Sequence, residues 1–190
     1  MFSFKKFIQE AWTNDITQGS KEKSVTSNDK YNKPTDFKKD SKKIGSIGPL
    51  EIHSSKSGDK GLTHFTWNPT DRKIHHVVHA VEATEHEGKT RLKWLSAHGR
   101  KDSPVRMGQV YSHLVKNHDV EFVGTGHSEG ARKMWSKFHD DKDLEVVGHH
   151  SDTNEYTKLD KNDKKYAPKD AKTSEEKRIG KMNLILRKKQ

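Results

Sequence analysis

Apolar residues in this chain are sparse but grouped, and the groups change period along its length. Phe65-Thr-Trp67 and Ile74 to Ala83 predict strands, separated by the turn formers Asn68-Pro69-Thr70-Asp71. Glu85-His-Glu-Gly88 reads as a hairpin-type connection into a further strand, Arg91 to His98. Met107, Val110, Tyr111, Leu114 and Val115 then fall at i, i+3, i+4, i+7 and i+8, the single apolar stripe of a helix. Val120 to Val123 predicts a short strand. Ser128 is placed to cap a second helix, whose apolar face is Ala131, Met134, Trp135 and Phe138. Leu144 to Val147 predicts another strand, and Met182 to Leu186 a last one. An antiparallel start followed by β-α-β-α-β predicts an α+β (α/β sandwich) fold, a mixed β-sheet flanked by helices.

The flanks lack this patterning. Gln18 to Ser46 is dominated by Lys, Ser, Asp, Asn and Thr. Such a segment cannot bury enough apolar surface to offset a chain entropy of ~1–2 kcal/mol per residue, which predicts a linker, disordered when free. Residues 151–178 have a similar composition. Charge separates the same regions. Of the net +10, residues 1–48 carry +4, residues 49–150 only +1 and residues 151–190 +5, while all 13 histidines lie between His53 and His150. The expected organisation is therefore a short leader over 1–10, a Lys/Ser-rich linker over 11–48, a near-neutral core over 49–150 and a basic polar segment over 151–190. With 28% hydrophobic residues, the chain holds no run long enough for a transmembrane helix. Its lack of cysteine excludes disulfides, thiolate metal ligands and a Cys nucleophile.

The turn before the first helix reads Pro104-Val-Arg106-Met-Gly108-Gln109-Val110. Together with the order of elements, it resembles the GNAT N-acetyltransferase family over residues 62–150. In that family a strand runs into a turn and a helix N-terminus whose amides grip the coenzyme A pyrophosphate. The resemblance implies acetyl-CoA as cofactor, bound around Arg106, Gly108 and Gln109. The spacing here is a residue or two short, and Val110 stands where a second small residue allows close backbone approach. The Tyr that serves the family as general acid is replaced by Trp135, whose indole N–H cannot donate a proton at neutral pH. The resemblance thus implies the fold more strongly than the catalysis, and leaves the catalytic residues unassigned.

Met1-Phe-Ser-Phe-Lys-Lys-Phe-Ile-Gln-Glu-Ala-Trp12 places Phe4, Phe7, Ile8, Ala11 and Trp12 on one helical face. It has no continuous apolar h-region of a secretory signal. An amphipathic helix docked on its own domain, or on a membrane surface, would also show this pattern. The peptide resembles the capsid-targeting leaders of internal head proteins in T-even-type tailed bacteriophages. That resemblance implies targeting to the capsid scaffold core through Phe4, Phe7 and Ile8, and cutting by the prohead protease at Ile8-Gln9-Glu10, before Ala11. No other Glu in the chain has Ile or Leu two residues earlier. The implied location is the capsid interior, then the host cytoplasm after injection.

A small basic chain packed with DNA also makes electrostatic sense: its Lys/Arg arms would neutralise phosphates without reading sequence. Solubilising tails are the plainer account of the same lysines. Three function readings follow: an internal virion protein delivered with the DNA and acting as a DNA-associated or host-directed binding protein; an acetyl-CoA-dependent N-acetyltransferase; and a GNAT-like inhibitor of a host protein.

Other patterns carry less. His75 and His79 would sit about 13 Å apart on a strand and could not share one metal ion, so no metal site is expected. Gly124-Thr-Gly126-His-Ser128-Glu-Gly130 lacks the spacing of a dinucleotide fingerprint and fits a tight βα turn. His98, His127 and Ser128 show no nucleophile-elbow spacing. Trp67, Trp94 and Trp135 read as core.

Overall fold

The computed structural model describes residues 41–57, 59–124, 129–150, 153–161 and 182–189. Among these the chain is mixed α+β, with nine strands, two α-helices and one 3-10 turn. In chain order these are β1 (Lys42–Ile47), β2 (Leu50–Ser57), β3 (Gly61–Asn68), β4 (Lys73–His86), β5 (Lys89–Gly99), α1 (Met107–Asn117), β6 (Val120–Gly124), α2 (Glu129–Lys137), the 3-10 turn Phe138–Asp140, β7 (Leu144–His150), β8 (Glu155–Lys158) and β9 (Met182–Lys188). The expected 49–150 core is distributed over two compact units. Of the described residues, the first contains those up to Ala83 together with Ser96–Val110; the second contains Thr84–Leu95 and those from Tyr111 onward.

In the first unit β1, β2, β3 and β4 pair antiparallel in sequence order. Both faces of the central strands are buried. Ile52, Thr66 and His76 form one register row, and His53, Phe65 and Val77 form a row on the opposite face. This is why Ile74 to Ala80 reads as a continuous run without alternation. The β3–β4 connection is built from side-chain turns: Thr70 N–H donates to Asn68 Oδ1 at 3.0 Å, and Lys73 N–H donates to Asp71 Oδ1 at 2.9 Å. Thr66 pairs with His76 while Trp67 pairs with Ile74, leaving His75 as the extra residue of a bulge.

In the second unit the strand order is β5-β6-β9-β7-β8. β5 and β6 are parallel, as an α-helical crossover requires, with Thr90–Lys93 in register against Val120–Val123. β9 pairs antiparallel with both β6 and β7 and separates them. On one pleat face Leu92, Phe122, Leu186 and Val146 are buried. Tyr111 on α1 packs edge-on against Phe122 at 4.6 Å and Phe138 at 6.4 Å. The opposite face carries the buried row Val123, Ile185 and Val147.

The predicted strands and both helices are present, most of them longer than the apolar runs suggest. Two expectations fail. Lys42–Ile47, assigned to the linker, is the edge strand β1, joined to β2 through Gly48 at a φ of 55°. Its exposed lysines and the register shift between Lys43 and Gly45 are devices that protect a sheet edge, and they read as linker in composition. Glu155–Lys158, assigned to the polar C-terminal segment, is the other edge strand, β8. The rest of the linker, residues 11–40, lies outside the described residues.

Candidate functional site

The clearest local construction is the turn that joins β5 to α1. Gly99 ends β5 hard against β4: a Cβ there would stand 2.8 Å from His76 Cδ2. Only glycine lets the β5 backbone come this close to the His76 ring without a shift. Arg100 N–H donates to the His75 carbonyl at 2.8 Å. The Arg100 side chain turns back on Asp102 with Nε–Oδ1 at 2.8 Å and Nη2–Oδ2 at 3.0 Å. This fork holds the Asp102 carboxyl down at about 2 and neutralises the guanidinium. Val105 is buried and Arg106 is exposed.

Arg106 is the N-cap of α1. Its carbonyl accepts from Val110 N–H at 3.3 Å and from Gln109 N–H at 2.9 Å. Gln109 Oε1 in turn accepts from Arg106 N–H at 2.8 Å, the return half of a capping box. Of the three residues expected to hold a pyrophosphate, Gln109 therefore spends its side-chain oxygen on the helix start. Arg106 offers an exposed cation, and Gly108 is half-buried in the first turn. No backbone hydrogen bond satisfies the Met107 and Gly108 N–H groups among the described residues, as at any helix start. The turn is thus able to receive an anion through two amides and one cation, and supplies no proton donor of its own.

The strands β2, β3 and β4 carry five histidines, distributed over both faces of the sheet. His53, His64, His75, His76 and His79 are all buried. His76 Nδ1 lies 2.7 Å from Thr66 Oγ1, and the ring also hydrogen-bonds the Val105 backbone. Burial, reinforced by neighbouring His75 and only partly offset by that backbone bond, lowers its pKa to about 4. His79 Nδ1 lies 2.7 Å from Thr63 Oγ1, and burial lowers its pKa too. His75 Nε2 reaches Asp71 Oδ2 at 2.8 Å, while its buried Nδ1 has no hydrogen-bond partner among the described residues. His75 and His79 thus serve separate partners and do not converge.

In the second unit lies Trp135, expected from the sequence resemblance at a general-acid position. It is buried, with its ring edge-on to Phe138 at 5.9 Å, and acts as core. Trp67 in the first unit is buried as well. Tyr111 is fully packed, and burial pushes its hydroxyl pKa far up, away from acid catalysis. The same unit holds a feature with no sequence signal, the buried pair Arg91–Glu121. Nε and Nη2 of Arg91 donate to Glu121 Oε2 at 3.0 and 2.8 Å, and Nη1 donates to Tyr156 Oη at 3.4 Å. Burial opposes the Arg91 charge, but the bonds to Glu121 and Tyr156 outweigh it and the net shift is upward. Directly across β9 and β7, Arg187 and Glu145 form a second pair at 2.7 Å.

Phe4, Phe7, Ile8, Glu10 and Ala11 of the leader lie outside the described residues, as do His127, Ser128 and the glycine turn between Gly124 and Glu129. His98 is half-buried in β5. No helix among the described residues is long and apolar enough to cross a membrane. No family model, no curated protein and no solved structure matches this chain.

Proposed function

We propose that this chain is an internal virion protein of a large tailed phage, addressed to the capsid by its first ten residues and cut between Glu10 and Ala11. It is delivered with the DNA, and its GNAT-like body acts as a binding module for a host protein. The observation that carries this reading is Phe7-Ile-Gln-Glu-Ala11, whose Ile-x-Glu occurs once in the chain. Every described strand and helix lies between Lys42 and Lys188, so a cut after Glu10 removes none of them. The basic flanks add sequence-independent phosphate contact, which weakens as salt rises. The GNAT-like sandwich is part of the proposal. It is supported by β5 running through a turn into α1 and returning as parallel β6. A binding role fits better than catalysis because Trp135 is core and the α1 turn has no proton donor.

Protein recovered from particles and sequenced from its N-terminus is expected to begin at Ala11. A mature chain still beginning at Met1 overturns the reading.

A second reading, an acetyl-CoA-dependent N-acetyltransferase, is favoured by one observation: the Met107 and Gly108 amides stand beside exposed Arg106 at the start of α1.

A further inference from the structure

The histidines of the first unit have no place in the proposed function, and their geometry is specific. β4 meets the β5–α1 turn at three points. The His75 carbonyl receives Arg100 N–H, the His76 ring hydrogen-bonds the Val105 backbone, and Gly99 lies beside Cδ2 and Nε2 of that same ring. Thr66 on β3 fixes the ring from the other side. His76 is 1% exposed. We propose that His76 is the pin of an acid-operated latch: while neutral it ties the Ser103–Arg106 turn and the start of α1 to β4, and on protonation it releases them.

The surroundings explain why a proton is not tolerated in the closed form. The groups facing His76 are Thr66 on β3, the Val105 and Gly99 backbones, and the Met107 side chain, which lies 3.4 Å from a Cβ built at Gly99. None is anionic. The neighbouring titratable group is His75, which adds repulsion once charged. The carboxylates of the adjoining turns have other partners, Asp71 binding His75 and Asp102 binding Arg100. His79 lies on the opposite face of β4, buried, with Thr63 as a partner. On the first strands, His53 differs in its contacts: it sits 3.2 Å from Glu51 Oε2, and Glu51 also accepts from Lys43 Nζ.

The direction follows from linkage. His76 binds a proton less readily when closed, at about 4, than when open, at 6.5. Its contribution to the closed form is complete above the open-state value and is lost as pH falls toward the closed-state value. From about pH 7.5 to about pH 5, the ratio of open to closed turn rises about 30-fold on account of this one ring. The latch does not depend on what the turn binds, nor on the leader.

Hydrogen exchange on the full chain, corrected for the intrinsic pH dependence of amide exchange, tests it. Acidification over that range is expected to raise exchange of peptides spanning residues 99–110 about 30-fold or more, while residues 144–150 in the second unit stay protected. His76→Gln, which keeps a polar group and cannot titrate, is expected to remove about 30-fold of that rise. An equal rise in both peptides, or an unchanged pH response in His76→Gln, overturns the latch. Should His76→Gln fail to fold, the ring proton of His76 can be followed by NMR in the unaltered chain. A ring that stays neutral down to about pH 5 supports the proposal, and titration near 6.5 within the folded protein overturns it.

Discussion

Arg91 and Glu121 are both nearly closed off from solvent, with side chains 8% and 3% exposed. Two charges at that depth cost desolvation that only close geometry repays, and here two donors meet one carboxylate oxygen while Tyr156 takes a third. Removing one partner is far worse than removing both. Glu121→Gln is expected to lower stability by about 3–5 kcal/mol in urea unfolding, because Arg91 is left buried and unneutralised. The double variant Arg91→Met with Glu121→Leu is expected to recover most of the loss. If the single and double variants lose equal stability, the pair is not the coupled unit described. The sequence offered no sign of this pair: its members lie 30 residues apart and meet only because β5 and β6 are parallel in that register. The His76–Thr66 bond is equally silent in sequence, since it depends on where the bulge at His75 falls.

Among the elements, the helices and central strands were legible because burial imposes a period. Val110, Tyr111, Leu114 and Val115 are all buried on α1, as their spacing requires. The edge strands were not. β1 and β8 face solvent, bear lysines and glutamate, and have no apolar face to announce them. β2 was missed because Glu51, His53 and Ser55 alternate with Leu50 and Ile52 without resembling a strand, although His53 and Ser55 are buried. The residues implied by the GNAT resemblance lie at the start of α1, but Gln109 caps the helix there and is not held available for a ligand. Coenzyme A titrated into the full chain in a calorimeter decides between the two readings of this element. An acetyltransferase gives saturable heat, weakened by Gln109→Ala because loss of the cap frays the amides at Met107 and Gly108. No heat at millimolar ligand leaves the turn as structure alone.

At the scale of the whole molecule, each unit draws on distant parts of the chain: Ser96–Val110 completes the first, and Thr84–Leu95 belongs with the second. Hydrophobic pattern could place the strands in order but could not show that β9 enters between β6 and β7. Its residues Leu184, Ile185 and Leu186 are 5%, 1% and 1% exposed, so it is a central strand. Until Met182–Lys188 has been synthesised, β6 and β7 each present an open row of amides and carbonyls to the solution. The second unit must therefore wait for its keystone, and a nascent or shortened chain is a template for pairing with other molecules. A chain ending at residue 181 is expected to aggregate on expression, with β7 and β6 peptides unprotected in hydrogen exchange. A soluble, monomeric product with those peptides protected would mean that the sheet closes without its middle.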